Sequence, residues 1–270
     1  MNEIAKFLIE VDDNMSEMAK DESLKKQSLD WVNSIVPHKY VYNFSWMGRP
    51  IIQLPQDIMA VQELIWAVKP DLVIETGIAH GGSLIMSASM LALLDYCDAI
   101  ESGVVLDPLK PARKVLGVDI DIRAHNRQAI NQHPMSNRIK MLEGSSIDEK
   151  IVAEVGNYAK EFKTVMVFLD SNHTHDHVLA ELESYAPLTS VGSYCVVFDT
   201  VIEDLKSEYN DEKPWSHGDN AKTAVYEFLN PKVSNDSGTV SSNIKFKIDK
   251  KIETKLLLTV APDGFLKRIS

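Results

Sequence analysis

Cysteine is scarce in this chain. Cys97 and Cys195 are the two among 270 residues, with no C-x-x-C spacing between them. That excludes a disulfide framework and a cysteine-based zinc or redox motif, and both thiols fall inside apolar runs, as expected of buried side chains in a reducing compartment. Positive charge is also in short supply. Lys and Arg number 28 against 39 Asp and Glu, a formal net charge of -11 at pH 7, whereas a nucleic-acid partner needs a basic face. No apolar run reaches the roughly 20 residues of a membrane-spanning helix. The opening Met-Asn-Glu-Ile-Ala-Lys lacks the basic-then-apolar order of a secretory leader. A cytoplasmic protein is expected, with no nucleic-acid partner and no membrane insertion.

What is present is an ordinary globular composition, 44% hydrophobic and 25% charged, long enough for one large α/β domain with an appendage. From Met1 to about Lys26 helix formers dominate, with Ile4, Phe7, Leu8 and Val11 spaced for one apolar face. Such an arm covers the main domain or packs on another subunit, and a homo-oligomer is expected. A second short helix is predicted over Leu29 to Ile35, stopped by Pro37, then a short strand over Lys39 to Phe44. Residues 1–45 are therefore assigned to an N-terminal helical arm with a short strand, and residues 46–270 to the main domain. Asp57 is placed to cap a helix running to about Val68.

After Pro70 a β/α alternation begins. Strands are predicted over Leu72 to Glu75, Val115 to Asp119, Ile139 to Glu143, Val165 to Asp170 and Tyr194 to Asp199. Being apolar almost throughout, they imply a parallel sheet buried on both faces. Residues from about 204 to 220 are polar and read as a flap over the site, after which Asp219 or Asn220 can cap a helix to Leu229. Two final strands, Ile244 to Ile248 and Lys255 to Val260, are expected to form an antiparallel edge on the mostly parallel sheet.

The predicted strands end in carboxylates, and ligands of open α/β sheets bind at the carboxyl ends of strands. The first of these ends is the most informative. Asp71-Leu-Val-Ile-Glu75-Thr-Gly77-Ile-Ala-His-Gly81-Gly-Ser83 is an apolar run, a carboxylate and a glycine-rich turn before a helix. Its glycines allow close backbone approach, and the helix start offers unpaired N–H groups. It matches neither a dinucleotide fingerprint nor a P-loop. A Glu before the turn suits a ligand bearing a cationic amino acid, such as S-adenosylmethionine. Asp119 at the next strand tip is placed for ribose hydroxyls, while Asp121 fits a capping role. Ser145, in Gly144-Ser145-Ser146, is a polar contact for an adenine edge.

The densest cluster is Asp170-Ser-Asn-His173-Thr-His175-Asp-His177. His173 and His177 have the i, i+4 spacing of a helical zinc pair, which is one reading. The preferred one places Asp170 as a hard-cation ligand at the strand tip and His173 as a general base, since an imidazole can take a proton near neutral pH. His175 and His177 are then expected on a solvated helix face. Asp199 on the neighbouring strand makes, with Asp170, a two-carboxylate site suited to Mg²⁺.

Together, Trp46-Met-Gly-Arg-Pro-Ile, Lys69-Pro-Asp-Leu-Val-Ile-Glu-Thr-Gly, Gly81-Gly-Ser, Gly117-Val-Asp-Ile-Asp, Leu169-Asp-Ser-Asn-His-Thr-His-Asp-His-Val178 and Val197-Phe-Asp-Thr resemble the cephalosporin hydroxylase / rhamnosyl O-methyltransferase family. The resemblance runs from about Tyr40 to the C-terminus. It implies a Rossmann-like class I S-adenosylmethionine-dependent methyltransferase sheet, with Glu75, Gly77, Gly81, Ser83 and Asp119 around the cofactor, Asp170 and Asp199 as metal ligands, and His173 as base. Phe198-Asp199 stands where related macrolide-sugar enzymes carry Glu-Asp, so either a water, Glu203 or Asp204 completes the metal shell, or the metal binds weakly or not at all. The implied activity is O-methylation of a hydroxyl on a small glycoside, nucleotide sugar or secondary metabolite. The alternative is a non-catalytic cofactor-binding partner of an oxygenase.

Overall fold

A computed structural model describes residues 2–209, 212–231 and 244–270. Its first elements are helices α1 (Glu3–Lys20) and α2 (Glu22–Ile35), divided at Asp21, whose side chain accepts the Leu24 N–H. A single arm to Lys26 and a short helix from Leu29 were the expectation; capping at Asp21 moves the boundary, because an Asp at that position satisfies an orphan amide. No residue of α1 is buried. The predicted strand over Lys39 to Phe44 is instead a 3₁₀ turn, Tyr40–Asn43, since Lys39 is left-handed at φ 50 and breaks the extended run. A hairpin follows, β1 (Phe44–Trp46) with β2 (Arg49–Ile51), and then α3 (Pro55–Val68). Leu54 is the N-cap of α3, not Asp57. The buried Asp57 carboxylate lies within the first turn and accepts the Thr259 hydroxyl at 2.5 Å and the Val260 N–H at 2.9 Å.

The five predicted central strands all form, as β3 (Leu72–Thr76), β4 (Lys114–Asp119), β5 (Ile139–Glu143), β6 (Val165–Leu169) and β7 (Tyr194–Val197). Helices α4 (Gly82–Ser102), α5 (Ala124–Asn131), α6 (Glu149–Ala159) and α7 (His175–Tyr185) alternate with them, and α8 (Ala221–Leu229) follows β7. Asn220 caps α8 in a capping box with Thr223. The C-terminal region differs from expectation. Strand β8 (Phe246–Ile248) is followed by helix α9 (Lys250–Leu256), and the last strand is β9 (Phe265–Arg268) rather than Lys255 to Val260. Asp249 caps α9, Ile252 buries itself, and the Val260 N–H is already taken by Asp57, so that stretch has no ladder to join.

The seven strands lie in the order β5-β4-β3-β6-β7-β9-β8. The expected antiparallel edge forms from the two final strands: β9 runs antiparallel between β7 and β8, and β8 is outermost. Side chains alternate across the sheet with period two. Val73, Val115, Met166 and Val196 pack under α3 and α4, while Leu72, Ile74, Leu116 and Val167 pack under α6, α7 and α8. Each such side chain contributes roughly 1.5–3 kcal/mol by burial, which is why both faces of the sheet need helices. Helix α4 is long and apolar enough to cross a membrane by length and composition, where no such run was expected. Half of its most apolar window is buried, with Leu84, Ile85, Ala88 and Leu91 in the core.

Candidate active site

Strand order reverses at β3, which has β4 on one side and β6 on the other. Crevices open at such switch points, outside the carboxyl ends of the strands. Here the crevice is a cavity of about 570 Å³. Gly77 and Asp170 lie side by side in its wall, with the Asp170 N–H donating to Thr76 O at 3.0 Å. A Cβ on Gly77 would lie 2.0 Å from Asp170 O, and φ is +80, so no side chain fits there.

Glu75 lies just beneath this contact, behind the cavity wall, with Ser83 between it and the cavity. It is buried, Ser83 Oγ donates to its Oε1, and its Oε2 has no hydrogen-bond partner. Burial pushes its carboxyl up to about 8, partly offset by the Ser83 hydrogen bond. An orphaned buried carboxyl oxygen at a strand tip is suited to a donor or cation from a ligand. That fits the amino-acid end of S-adenosylmethionine.

Asp119 lines the cavity, but much of its acceptor capacity is already used. Its Oδ2 accepts the Ile78 and Ala79 N–H groups at 2.9 and 3.3 Å, and Oδ1 accepts the Asp121 N–H at 3.1 Å. A carboxylate has about four lone-pair sites. Asp119 therefore shapes the turn and retains one site for a hydroxyl. Ser83 lines the cavity, whereas Gly81 lies behind it against Ile130. Ser145 accepts the Asp148 N–H with its carbonyl at the end of β5 and is not part of the cavity wall.

The chemistry-bearing groups come together on the other side of the switch point. One donor atom each from Asp170, His173 and Asp199 lie within 4.8 Å of one another. His173 Nε2 is 3.0 Å from Asp199 Oδ2, and the Trp215 ring packs edge-on against the imidazole with centroids 4.6 Å apart. Burial, then the carboxylates of Asp199, Glu75, Glu181 and Asp57, push the Asp170 carboxyl well above the usual range. A site with that much negative potential favours a cation. Asp199 is left-handed at φ 56, a conformation rare outside glycine that costs roughly 1–3 kcal/mol and recurs at functional sites.

Three expectations change here. The helical zinc pair does not exist, because α7 begins at His175, leaving His173 in the preceding loop. His175 and His177 are half-buried and hydrogen-bonded rather than freely solvated. His175 Nδ1 bonds Thr223 at 2.8 Å, and His177 Nε2 meets the Ser146 and Ser171 hydroxyls at 3.0 and 3.2 Å, beside the buried Glu181. Glu203 and Asp204 do not complete a metal shell: Glu203 accepts from Gly218 and Asn220, and Asp204 pairs with Lys222. The Phe198 ring is buried edge-on against Phe168, so that position offers no ligand.

Two further segments complete the wall, the predicted flap and the end of the N-terminal arm. Trp215 and Lys213, from the predicted flap, close one side, with residues 210 and 211 of that segment outside the described residues. Val32, Ile35 and Val36, from the end of α2, form an apolar wall with Ile202 and Leu205. Asn33 Oδ1 accepts the Lys206 N–H at 3.0 Å and ties the two walls together. Periodicity shows that α2 has an apolar face but not what it covers.

A model of the family described as rhamnosyl O-methyltransferase/CmcI matches residues 38–269. A rhamnosyl O-methyltransferase of Mycobacterium tuberculosis H37Rv is 29% identical over 239 residues, 86% of this chain and 83% of that protein. One from Mycobacterium leprae is 28% identical over 170 residues, 60% of this chain and 66% of its own. Among solved structures, a CmcI structure with Mg and SAM superposes with a TM-score of 0.52 at 14% identity, covering 85% of this chain and 78% of that one. This last likeness is one of fold, the doubly wound sheet with its crevice at the switch point.

Proposed function

The chain belongs to the rhamnosyl O-methyltransferase/CmcI family and is a methyltransferase; we propose that it transfers a methyl group from S-adenosylmethionine to a hydroxyl of a sugar-bearing small molecule. The observation that carries this reading is the pairing across one switch point of an orphaned Glu75 carboxyl under a glycine turn with a His173–Asp199 pair. The relatives named rhamnosyl O-methyltransferase support a sugar acceptor.

Bound S-adenosylmethionine supplies an electrophilic methyl group on a sulfonium. Glu75 and Ser83 would hold its amino-acid end, the Gly77 turn packed against the Asp170 carbonyl would shape that end of the cavity, and Asp119 would accept one ribose hydroxyl. Asp199 orients His173. An imidazole donating Nε2–H to Asp199 keeps its lone pair on Nδ1 and takes the acceptor hydroxyl proton there, a contribution of typically 10²–10⁴-fold. Trp215 and the α2 wall exclude water and fix the acceptor. Positioning of the two reactants supplies most of the remaining acceleration.

Asp170 and Asp199 are the groups that would hold Mg²⁺, with two carboxylates able to fix a vicinal diol through the ion. Charge repulsion at Asp170 supports this assignment. We further assign residues 46–270 as the methyltransferase domain and residues 1–45 as an arm contributing to the acceptor wall.

Incubation with S-adenosylmethionine and an aryl rhamnoside, followed by mass spectrometry, tests the proposal. S-adenosylhomocysteine and an O-methylated sugar should form together. Tight S-adenosylhomocysteine binding with no transfer to any glycoside, nucleotide sugar or macrolide would sink the sugar assignment.

A further inference from the structure

The hairpin β1–β2 has no part in the chemistry above, yet it is fastened to the loop that forms the cofactor half. Trp46 pairs with Arg49 across a two-residue turn in which Met47 and Gly48 are both left-handed, at φ 45 and 85. That turn matches the twist of a hairpin and fixes where Arg49 emerges. The hairpin is docked at three further points. Trp46 Nε1 donates to Ser89 Oγ at 2.9 Å, His133 Nε2 bonds Met47 O at 3.0 Å, and a Cβ on Gly82 would lie 2.1 Å from Pro50 O.

From this platform Arg49 reaches the back of the loop. Its Nε and Nη2 both donate to His80 O, at 3.0 and 2.5 Å, and Nη2 also donates to Asn126 Oδ1 at 2.9 Å. The buried Asn126 passes the contact on, its Nδ2 donating to Ala79 O at 3.0 Å. On the opposite side Asp119 accepts the Ile78 and Ala79 N–H groups. Residues 78–80 are thus gripped by their carbonyls from behind and by their amides from the front. Ala79 is thereby held at φ 43, a conformation that an L side chain disfavours and that needs such restraint. Among the described residues Arg49 has no carboxylate partner, and it does not line the cavity. Its charge and its planar fork are spent on the loop.

We propose that Arg49 is the positioning residue of the cofactor loop, acting directly on His80 and through Asn126 on Ala79; the inference rests on the reading of this loop as the S-adenosylmethionine site. It accounts for the Trp-Met-Gly-Arg-Pro segment, whose turn, arginine and close-packed Pro50 each contribute to one clamp.

Hydrogen exchange and calorimetry with S-adenosylhomocysteine on the full chain test it. In Arg49→Ala, exchange at the Ile78 to Ser83 amides should accelerate by roughly tenfold or more, with α6 and α7 unchanged, because charge-assisted bonds to one loop are lost. The dissociation constant should rise by about the same factor. Arg49→Lys should recover only a minor part, since an ammonium cannot reproduce the fork. Asn126→Ala should loosen the same amides without touching the hairpin, which keeps the test open if Arg49→Ala does not fold. Loop exchange unchanged, or exchange accelerated uniformly along the chain, overturns the proposal. Failure of the wild-type chain to bind S-adenosylhomocysteine would defeat the cofactor reading instead, while the exchange result would still decide whether the clamp exists.

Discussion

The two halves of the cavity are built by different means. The cofactor half is built on one short stretch, a strand, a turn and a helix start within Leu72 to Ser83, braced by Asp119 from the next strand and by Arg49 and Asn126 from behind. The acceptor half is assembled from pieces far apart in the chain, with Val32 and Ile35 from α2, His173 after β6, and Ile202 to Trp215 after β7. One half is a backbone turn held by hydrogen bonds from Asp119, Arg49 and Asn126; the other is apolar and side-chain lined. The difference suits a site that holds one invariant reactant and one that selects among hydroxyl-bearing molecules.

If that division is right, substitutions in the two halves should separate binding from turnover. The largest effect belongs to His173→Ala, expected to lower turnover by ~10²-fold or more in a steady-state methyl-transfer assay. Next is Asp199→Asn, which leaves the imidazole without its carboxylate and should cost roughly tenfold or more in turnover, measured in the same assay. Trp215→Ala comes third. It should raise the acceptor KM by about tenfold through lost ring contact, with the S-adenosylmethionine KM little changed. An equal rise in both KM values would show that the halves are not separable.

The smallest effect is on the ligand-free protein. Burial raises the folded-state Glu75 carboxyl from its ordinary 4.5 to about 8, and Asp57 from 3.8 to about 7. The native state then holds protons that the unfolded chain releases. These groups favour folding at low pH, and the contribution is lost as pH rises through those values. The ligand-free protein should melt a few degrees lower at about pH 8.5 than at about pH 6, given ~2–4 °C per kcal/mol for a chain of this class. Glu75→Gln should flatten that slope. A slope of opposite sign in calorimetry would mean that Glu75 is ionised in the empty site.

The same contrast governs how much the sequence reveals. All five central strands and the residues of the glycine turn were legible, because apolar runs, strand-end carboxylates and glycine are local signals. Asp170, His173 and Asp199 were also legible, since the strand tips of a parallel sheet share one edge. What was not legible depends on long-range contacts. Asp57 looked like a helix cap and is instead a partner of Thr259 and Val260, about two hundred residues away. His177 looked solvated and is instead half-buried and hydrogen-bonded to Ser146 and Ser171. The run Lys255 to Val260 has strand composition, but Asp249 starts a helix just before it and Asp57 takes the Val260 amide. Arg49 was singled out only by family resemblance, and its role depends on a loop thirty residues downstream.

The division of labour between the halves is tested most directly by calorimetric titration of S-adenosylhomocysteine into wild-type, His173→Ala and Glu75→Gln proteins. The geometry predicts that His173→Ala binds within about threefold of wild type, while Glu75→Gln loses roughly tenfold or more with the loss of a charged hydrogen-bond partner. Equal weakening in both, or full affinity in Glu75→Gln, would contradict a cofactor half built on Glu75 and a chemical half built on His173.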